Sequence, residues 1–313
     1  GSIQNKGLEF SFNTTPYRTR NFTWNTIFNI SFEKGTIQQL YNGETFISGD
    51  KWLVQEGGRL GDFYGYKYLG VYAYDQSNAY TDNWERLTPV FDNNRFVGYT
   101  FNGQKYEGPV HRMYGNGQLL KGGDVEYDNR RKDSVIDDAD RTIIGRAQPK
   151  FYAGWINNLT YKNFTLSFTF NVSWGADIYN NAAATLNNYN TTHIIPQPYV
   201  IYNAWQKPGD VTDVPRVKSN TAWNHRISTR YLEDGSFIRL SYVKLMYALK
   251  MNWLQKIKVK GAGVYIWGSN LATWTNYSWY DPEFSSSNAL QMGQDNGRYP
   301  RRREVGLGLN VNF

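Results

Sequence analysis

The stretch from Phe164 to Trp174, Phe-Thr-Leu-Ser-Phe-Thr-Phe-Asn-Val-Ser-Trp, alternates apolar and polar residues without exception over 11 positions. A period of two residues is the pattern of a β-strand with one apolar and one polar face. About 9 to 11 residues are needed for a tilted strand to cross a bilayer, whereas a soluble strand usually has about 5 or 6. The stretch therefore predicts a membrane-crossing β-strand.

Six further segments continue this pattern on both sides of that strand. At the C-terminus, Val305, Leu307, Leu309, Val311 and Phe313 share one face. The alternation starting at Phe22 is interrupted only near Thr26. Together the segments predict seven strands, beginning near Leu8, Phe22, Phe151, Phe164, Phe237, Ile257 and Glu304.

Two of these strands change phase. In Phe237–Leu249 the apolar positions shift from even to odd numbers between Tyr242 and Val243. A slip by one residue moves side chains to the other face unless a β-bulge compensates for it. We therefore expect a bulge in this strand, and a similar bend in Ile257–Ser269 near Gly261 and Gly263.

The connections between the predicted strands are alternately short and long. The short ones join Phe12 to Phe22, Tyr161 to Phe164 and Leu249 to Ile257, and the long ones cover residues 33–150, 175–236 and 270–301. Outer-membrane barrels have short periplasmic turns and long extracellular loops. Because complete bacterial barrels have an even number of strands, seven strands predict that the chain is one portion of a barrel.

Composition excludes several other classes of protein. The chain has 313 residues, of which 40% are hydrophobic and 17% aromatic, which excludes a disordered polypeptide. No run approaches the roughly 18 apolar residues of a membrane helix, and the mean hydropathy is −0.63. Because there is no Cys, disulfides, thiol nucleophiles and zinc-thiolate sites are excluded.

Charge and the N-terminal residues bear on partners and location. The net charge is +7, but the basic residues are spread along the chain, so nucleic-acid binding is not predicted. The first residues, starting at Gly1, contain no basic segment followed by an apolar one. We therefore expect either a cytoplasmic protein or a chain whose beginning is missing.

Eight segments, in order, resemble the SusC/RagA-like TonB-dependent outer-membrane transporters. The resemblance extends over nearly the whole chain. The segments that carry it are 5–9 (NKGLE), 61–66 (GDFYGY) with 70–72 (GVY), 123–127 (GDVEY), 140–145 (DRTIIG) with 149–151 (PKF), 231–240 (YLEDGSFIRL), 270–275 (NLATWT), 280–283 (YDPE) and 299–313. One such segment would be weak support, whereas eight in the family's order are strong support.

The resemblance implies an all-β fold in which residues 1–313 are the C-terminal portion, with about seven membrane strands, of an antiparallel transmembrane β-barrel of about 22 strands with long extracellular loops. The plug domain and the upstream strands would be absent from this chain. The implied activity is energy-dependent import of oligosaccharides or oligopeptides through the outer membrane of a Gram-negative bacterium, without enzymatic chemistry or cofactors.

The same resemblance implies several partners. They are a SusD-like surface lipoprotein, the TonB complex acting through the missing N-terminal part, and the barrel-assembly machinery. Two transporter–lipoprotein pairs could also form a dimer. The terminal Phe313 would be the signal that the assembly machinery recognises, because an unpaired terminal strand can dock on a sheet edge.

Residues 129–140 stand where relatives resemble a calcium loop, but the ligand pattern is degraded. Arg131 occupies the third ligand position and Ser134 replaces the glycine of the sharp turn. A cation at a ligand position repels calcium. Although Asp133, Asp137 and Asp140 are possible ligands, we predict a loop held by hydrogen bonds and salt bridges, and no metal site.

Loop residues with aromatic and amide side chains are the candidates for substrate contact. Asn187, Asn188, Tyr189 and Trp223 lie where the family pattern fades, as specificity positions should. Aromatic faces can pack against sugar rings or peptide side chains, and amides both donate and accept hydrogen bonds. Packing within the loops or at the membrane interface is the simpler alternative for each aromatic residue. The further aromatic candidates are Trp84, Trp205, Trp279 and Tyr280.

No catalytic constellation is predicted. The sequence has no Gly-x-Ser-x-Gly elbow, and its three histidines show no metal-ligand spacing. Glu126 with Asp128, and Asp281 with Glu283, are spaced for one face of a strand, but stabilisation of turns and loops explains both pairs.

Two other functions fit the strand pattern. A passive porin would share it and would conduct ions without TonB. A secreted all-β domain that binds or cleaves glycans would dissolve in water without detergent, but a second sheet would have to cover its apolar stripe.

Overall fold

Seven long antiparallel strands form one sheet. The computed structural model describes residues 1–189, 195, 197–217, 222–249, 259–284 and 288–312. The strands are β1 (Ser2–Arg18), β2 (Phe22–Gln39), β3 (Phe151–Tyr161), β4 (Phe164–Trp174), β5 (Phe237–Leu249), β6 (Gly261–Thr275) and β7 (Glu304–Asn312). Each of the seven predicted strands is present, although β1 and β2 are longer than the sequence pattern indicates. Ile257 and Phe313 lie outside the described residues.

Every strand pairs with its neighbours in chain order. The sheet order is β1-β2-β3-β4-β5-β6-β7, and all six pairings are antiparallel. Lys162 and Asn163 alone connect β3 to β4, and Lys162 adopts a positive φ of 52° in this tight turn. This meander confirms the predicted all-β fold and the antiparallel order of its strands.

The register places the apolar side chains on one face of the whole sheet. Residues directly opposite each other on antiparallel strands point to the same side. Phe168 is opposite Val243, and Phe170 is opposite both Trp155 and Leu240. The same face continues to β7, where Leu307 is opposite Ile266 and is 84% exposed. The residues that the structure describes leave this apolar face uncovered.

The other face carries most of the polar side chains of the strands, together with a few apolar ones such as Ile156 and Trp267. Ser167 donates to the side chain of Asn158 over 2.7 Å, and Ser11 donates to that of Asn29 over 2.7 Å. Thr169 and Asn171 follow Ser167 on the same side of β4 because side chains alternate along a strand. The two faces of the sheet therefore differ as the inner and outer faces of a barrel wall do.

Two polar residues, Thr26 and Asn157, lie on the apolar face, and each accepts a hydrogen bond from a tryptophan on the same face. The indole Nε1 of Trp155 donates to Thr26 Oγ1 over 2.9 Å, and that of Trp24 donates to Asn157 Oδ1 over 2.9 Å. Each polar side chain thus has a donor beside it, which lowers the cost of placing it among apolar groups.

A β-bulge in β5 explains the change of phase. Leu240 is opposite Phe170 and Tyr242 is opposite Thr169, so Ser241 is an extra residue. Its hydroxyl donates to the carbonyl of Thr169 over 3.1 Å. The bulge keeps Leu240 and Val243 on the apolar face, as predicted. The neighbouring strand β6 is also irregular opposite this point, where Asn270 has a φ of 49°.

The long connections fold into a layer of small sheets and short helices, which we call the cap. Its strands are Phe46–Ser48, Trp52–Val54, Asp62–Gly65, Tyr68–Val71, Thr88–Asp92, Arg95–Phe101, Gln104–Tyr106, Tyr114–Gly115, Gln118–Leu119, Val125–Tyr127, Val135–Ile136, Thr142–Arg146, Asp177–Asn180, Leu232–Asp234 and Gln294–Asp295. Its α-helices are α1 (Asn181–Leu186) and α2 (Pro198–Asn203). Among the residues described, no helix has the length and apolar character needed to span a membrane.

Three clusters of buried side chains stabilise the cap. The largest contains Tyr72, Val125 and Trp223. A second one surrounds Phe63, and the third surrounds Leu87. The buried side chains of the chain are therefore concentrated in the cap, whereas the seven-stranded sheet has a polar face and an uncovered apolar one.

Candidate functional site in the cap

Trp223 is a packing residue of the cap core. It is 7% exposed, its Nε1 donates to the carbonyl of Val125 over 2.9 Å, and its own carbonyl accepts a hydrogen bond from Tyr127 over 3.1 Å. A Cβ atom on Gly115 would lie 2.5 Å from the indole ring, so only glycine fits there. The indole holds distant parts of the cap together, and its predicted contact with substrate stays a prediction.

Asn187, Asn188 and Tyr189 follow helix α1 directly. Asn187 caps the helix through its N–H, which donates to the carbonyl of Ala183 over 2.9 Å. The hydroxyl of Tyr189 lies 2.8 Å from the carbonyl oxygen of Arg216 and 3.1 Å from that of Pro215. The segment after α1 is thereby tied to the segment that precedes Trp223 in the chain.

The fold brings Tyr189 close to the Trp223 region. The ring of Tyr189 meets the ring of His225 edge to face, with centroids 4.5 Å apart. Burial, together with the nearby charge of Arg230, lowers the pKa of His225 to about 4, so this imidazole is neutral at physiological pH. Two segments that the sequence marks as variable are therefore neighbours. Asn190 and His193 lie outside the described residues.

Several polar atoms around this contact have no hydrogen-bond partner in the described part of the chain. They are the Oδ1 of Asn187, both ring nitrogens of His225 and Arg230 Nη1, whereas the Tyr231 hydroxyl is hydrogen-bonded to the side chain of Asn187. Buried donors and acceptors without partners are costly. Several such atoms close together are therefore typical of a site that binds the polar groups of a ligand. Arg230 was missed by the sequence analysis, and only its charge beside the family segment 231–240 could have indicated it.

Trp205 and Trp84 are held by contacts within the cap. The Nε1 of Trp205 donates to the carbonyl of Ala73 over 3.1 Å. Trp84 has a φ of 61° and packs its ring against those of Tyr80 and His111. These contacts favour a structural role for both residues.

Carboxylates in the cap are engaged with cations and hydroxyls. Glu126 is buried, accepts a hydrogen bond from the hydroxyl of Tyr80 over 2.7 Å and lies 2.5 Å from Arg86 Nη1. Burial raises the pKa of Glu126 despite the nearby arginine. Asp281 and Glu283 both contact Arg239. These contacts support the structural interpretation of Glu126 and of the pair Asp281 and Glu283.

The degraded calcium-like loop is held by its own residues. The backbone N–H groups of Arg130 and Arg131 donate to Asp140 Oδ1 over 2.9 and 3.1 Å. Arg131 lies 3.6 Å from Asp133 and 3.8 Å from Asp137. Its guanidinium therefore faces two of the carboxylates that a cation would need. The described residues contain no group of three or more His, Cys, Asp or Glu placed to hold a metal ion.

Comparison with known proteins adds information on the family. No protein-family model matches the chain. TonB-dependent receptor P39 of Formosa agariphila is 38% identical over 318 aligned positions, which cover 100% of this chain and 30% of the relative. TonB-dependent receptor SusC of Bacteroides thetaiotaomicron is 25% identical, and the match covers 100% of this chain and 27% of the relative. The chain thus spans less than a third of the length of these curated relatives.

Solved structures agree on the fold. The RagAB peptide transporter superimposes with a TM-score of 0.68 at 20% identity, covering 99% of this chain and 29% of the matched chain. The RagAB peptide importer in its closed-closed state also gives a TM-score of 0.68, over 100% of this chain and 30% of the matched chain. The seven-stranded sheet and its cap therefore share the fold of the matched part of these structures.

Proposed function

We propose that this chain, which belongs to the SusC/RagA-like TonB-dependent receptors, forms part of the wall and outer loops of a transporter that imports nutrient oligomers across the outer membrane of a Gram-negative bacterium. The observation that carries the proposal is the contrast between the two faces of the seven-stranded sheet. An apolar face that the described residues leave uncovered is stable against lipid, and a polar face suits an aqueous lumen.

The transported substrate is an oligosaccharide or an oligopeptide. The cap offers aromatic rings and amide groups at the outer end of the wall, including Asn187 and Tyr189, and the cluster around His225 has unpartnered polar atoms. Both classes of oligomer present hydrogen-bonding groups along their length. No catalytic step is part of this proposal, and the relatives carry the names of receptors and transporters.

The partners proposed are a SusD-like lipoprotein on the cap, the TonB complex and the barrel-assembly machinery. A dimer of two transporter–lipoprotein pairs is compatible with this arrangement. The strands β1 and β7 each pair with one neighbour within the described residues. In lipid, the free backbone groups of such an edge must pair with further strands. Phe313, which lies outside the described residues, is proposed as the assembly signal.

The experiment that tests this function is uptake of labelled oligomers by cells that express the full-length receptor. We expect uptake to require the receptor and to stop when TonB is deleted. A passive porin would give uptake without TonB, and a secreted binding or cleaving domain would be found in the medium. Either result would contradict the proposal.

A further inference from the structure

A pocket beside the Tyr189–His225 contact, with Asn187 common to both, lies between helix α1 and the segment after β6. Its volume is about 510 Å³, within the range of about 300 to 1,000 Å³ that is usual for small-molecule sites. We call it the aromatic pocket. It is lined by Ala183, Asn187, Gln197, Ser278, Trp279 and Tyr280.

One aromatic residue of this pocket, Tyr280, presents its ring to solvent, whereas Trp279 is half-buried. Tyr280 is 69% exposed, and its ring meets that of Trp279 edge to face with centroids 5.9 Å apart. Exposed aromatic rings at a pocket mouth are costly in water unless a ligand covers them. Because the two rings are inclined at 69° to each other, the exposed face of Tyr280 is the surface on which a flat ligand can pack.

Residues on both sides fix this platform. On the N-terminal side, the hydroxyl of buried Tyr277 donates to Asp295 over 2.7 Å, and Ser278 donates from both its N–H and its hydroxyl to Glu233 over 2.8 and 2.9 Å. On the C-terminal side, Asp281 is paired with Arg239 over 2.5 Å. The two rings thus project from a short segment that is anchored at each end.

The opposite wall of the pocket is tied to the same anchor. Glu233 Oε1 also accepts a hydrogen bond from the amide of Asn180 over 2.8 Å. Asn180 caps the N-terminus of α1, because its Oδ1 accepts from the N–H of Ala183 over 2.9 Å. The carboxylate of Glu233 therefore fixes the position of helix α1 relative to the segment that carries Trp279 and Tyr280. Asn187 lies at the end of this helix. A site organised before binding loses less entropy when a ligand arrives.

The chemistry of the lining selects among ligands. Among the described residues that line the pocket, none is charged. The side-chain amides of Asn187 and Gln197 offer hydrogen-bonding groups, whereas the hydroxyl of Ser278 already donates its proton to Glu233 and can only accept from a ligand. Sugar hydroxyls also donate and accept, and the C–H face of a pyranose ring can cover an aromatic ring. A peptide would bring charged termini or side chains, for which this lining offers no opposite charge.

From these observations we infer that the aromatic pocket binds one neutral sugar residue of an oligosaccharide, with the Tyr280 ring, supported edge to face by Trp279, as the packing surface and the side-chain amides of Asn187 and Gln197 as the groups that bind sugar hydroxyls. This inference rests on the proposed function and specifies its substrate class. Among the residues that the sequence pattern singled out, Asn187, Trp279 and Tyr280 meet in this pocket, whereas Trp223 is not part of it.

The test is calorimetric titration of the purified full-length receptor with a panel of neutral gluco-, manno- and galacto-oligosaccharides and, separately, with a mixture of oligopeptides. We expect at least one neutral oligosaccharide to bind. Tyr280→Ala, Trp279→Ala and Asn187→Ala should each weaken its binding by tenfold or more. The matched control is Tyr41→Ala, because Tyr41 is 83% exposed and does not line the pocket, and this variant should bind within twofold of the unchanged receptor.

Three results would overturn the inference. The first is that the receptor binds none of the neutral oligosaccharides. The second is that the Tyr280→Ala receptor and the control receptor bind the oligosaccharide equally well. The third is that Tyr280→Ala weakens the binding of oligopeptides and leaves the binding of oligosaccharides unchanged. Heat-modifiable mobility on gels checks that each variant has assembled before it is titrated. TonB-dependent uptake, measured in parallel, separates the two proposals: uptake of oligopeptides alone refutes the sugar pocket and leaves import intact, whereas no uptake of either oligomer refutes import itself.

Discussion

The guanidinium of Arg239 on β5 donates to Asp281 Oδ1 over 2.5 Å and links the polar face of the sheet to the cap segment that carries Tyr280. The Arg239 side chain is 2% exposed. Asp281 also accepts hydrogen bonds from the N–H groups of Glu283 and Arg301 over 2.9 and 3.0 Å. The ion pair therefore fixes the position of the aromatic pocket relative to the wall.

The first prediction concerns removal of this arginine. Breaking a buried ion pair by deleting one partner costs about 3 to 5 kcal/mol, because a buried charge is left without compensation. We expect Arg239→Met to increase hydrogen exchange in residues 277–283 strongly, and the double variant Arg239→Met with Asp281→Asn to recover part of the protection. Equal exchange in the single and double variants would contradict a pairing role for Arg239.

The second prediction is that this link is sensitive to acid. Burial alone would raise the pKa of Asp281, but the hydrogen bonds from Arg239 and from two backbone N–H groups outweigh it and lower the pKa below its ordinary value of 3.8. Because the folded pKa is the lower one, the stabilisation is present above pH 3.8 and is lost as the pH falls through the folded value. Exchange in residues 277–283, corrected for the intrinsic rate, should rise below pH 3.8, and Asp281→Asn should abolish this dependence. A rise that persists in Asp281→Asn would show that another group is responsible.

The third prediction compares adjacent residues of β4. Phe168 lies on the apolar face and Thr169 on the polar face. Arginine on the lipid side near the bilayer centre costs about 2 to 4 kcal/mol, whereas lumen substitutions mainly change selectivity. We expect Phe168→Arg to destabilise the assembled receptor in denaturant titrations and Thr169→Arg to leave its stability nearly unchanged. Equal destabilisation by both would defeat the assignment of faces.

The fourth prediction separates packing from binding in the cap. Trp223→Ala removes an indole that contacts Tyr127 and the position of Gly115, and truncation of a buried aromatic side chain costs about 3 to 5 kcal/mol. We expect faster proteolysis of the cap in Trp223→Ala and an unchanged rate in Tyr280→Ala, whose ring is exposed. A cap that resists protease in Trp223→Ala and binds oligomer more weakly would instead support substrate contact by Trp223.

The fifth prediction concerns the lipoprotein partner. Val97 and Val211 are exposed residues in two different long connections of the cap. A photo-crosslinking amino acid at either position should capture a SusD-like lipoprotein in whole cells. The control is Leu307 on the apolar face, where no lipoprotein adduct is expected. Crosslinks from Val97 and Val211 to periplasmic proteins alone would contradict the proposed orientation of the cap.

How far the sequence predicts the structure depends on the range of the interactions. The strands follow from local alternation, so β4 and the phase change at Val243 were predictable from neighbouring residues. The cap depends on contacts between distant positions. Lys51, for example, donates to Gln294 over 2.8 Å across 243 residues of sequence. No local period encodes such a contact.

The candidate site divides in the same way. The amide and aromatic residues near Asn187 were predicted from their residue types and from their position, since they lie where the family pattern fades. Asn187 lines the same pocket as Trp279 and Tyr280 because of a distant residue. Glu233 accepts hydrogen bonds from Asn180, at the start of α1, and from Ser278, next to Trp279. Trp223 illustrates the opposite case, because its burial arises from Val125 and Tyr127, nearly 100 residues earlier.

The measurement that tests the account most directly is a cysteine scan of Phe164–Trp174 in outer membranes, carried out in a full-length receptor from which any cysteine outside this chain has been removed; residues 1–313 themselves contain none. Each single cysteine carries a fluorophore that is quenched either by a lipid-soluble or by a water-soluble agent. The account predicts lipid quenching at positions 164, 166, 168, 170, 172 and 174 and water quenching at the five positions between them. Uniform quenching by the water-soluble agent along the whole strand would contradict a barrel wall between lipid and lumen.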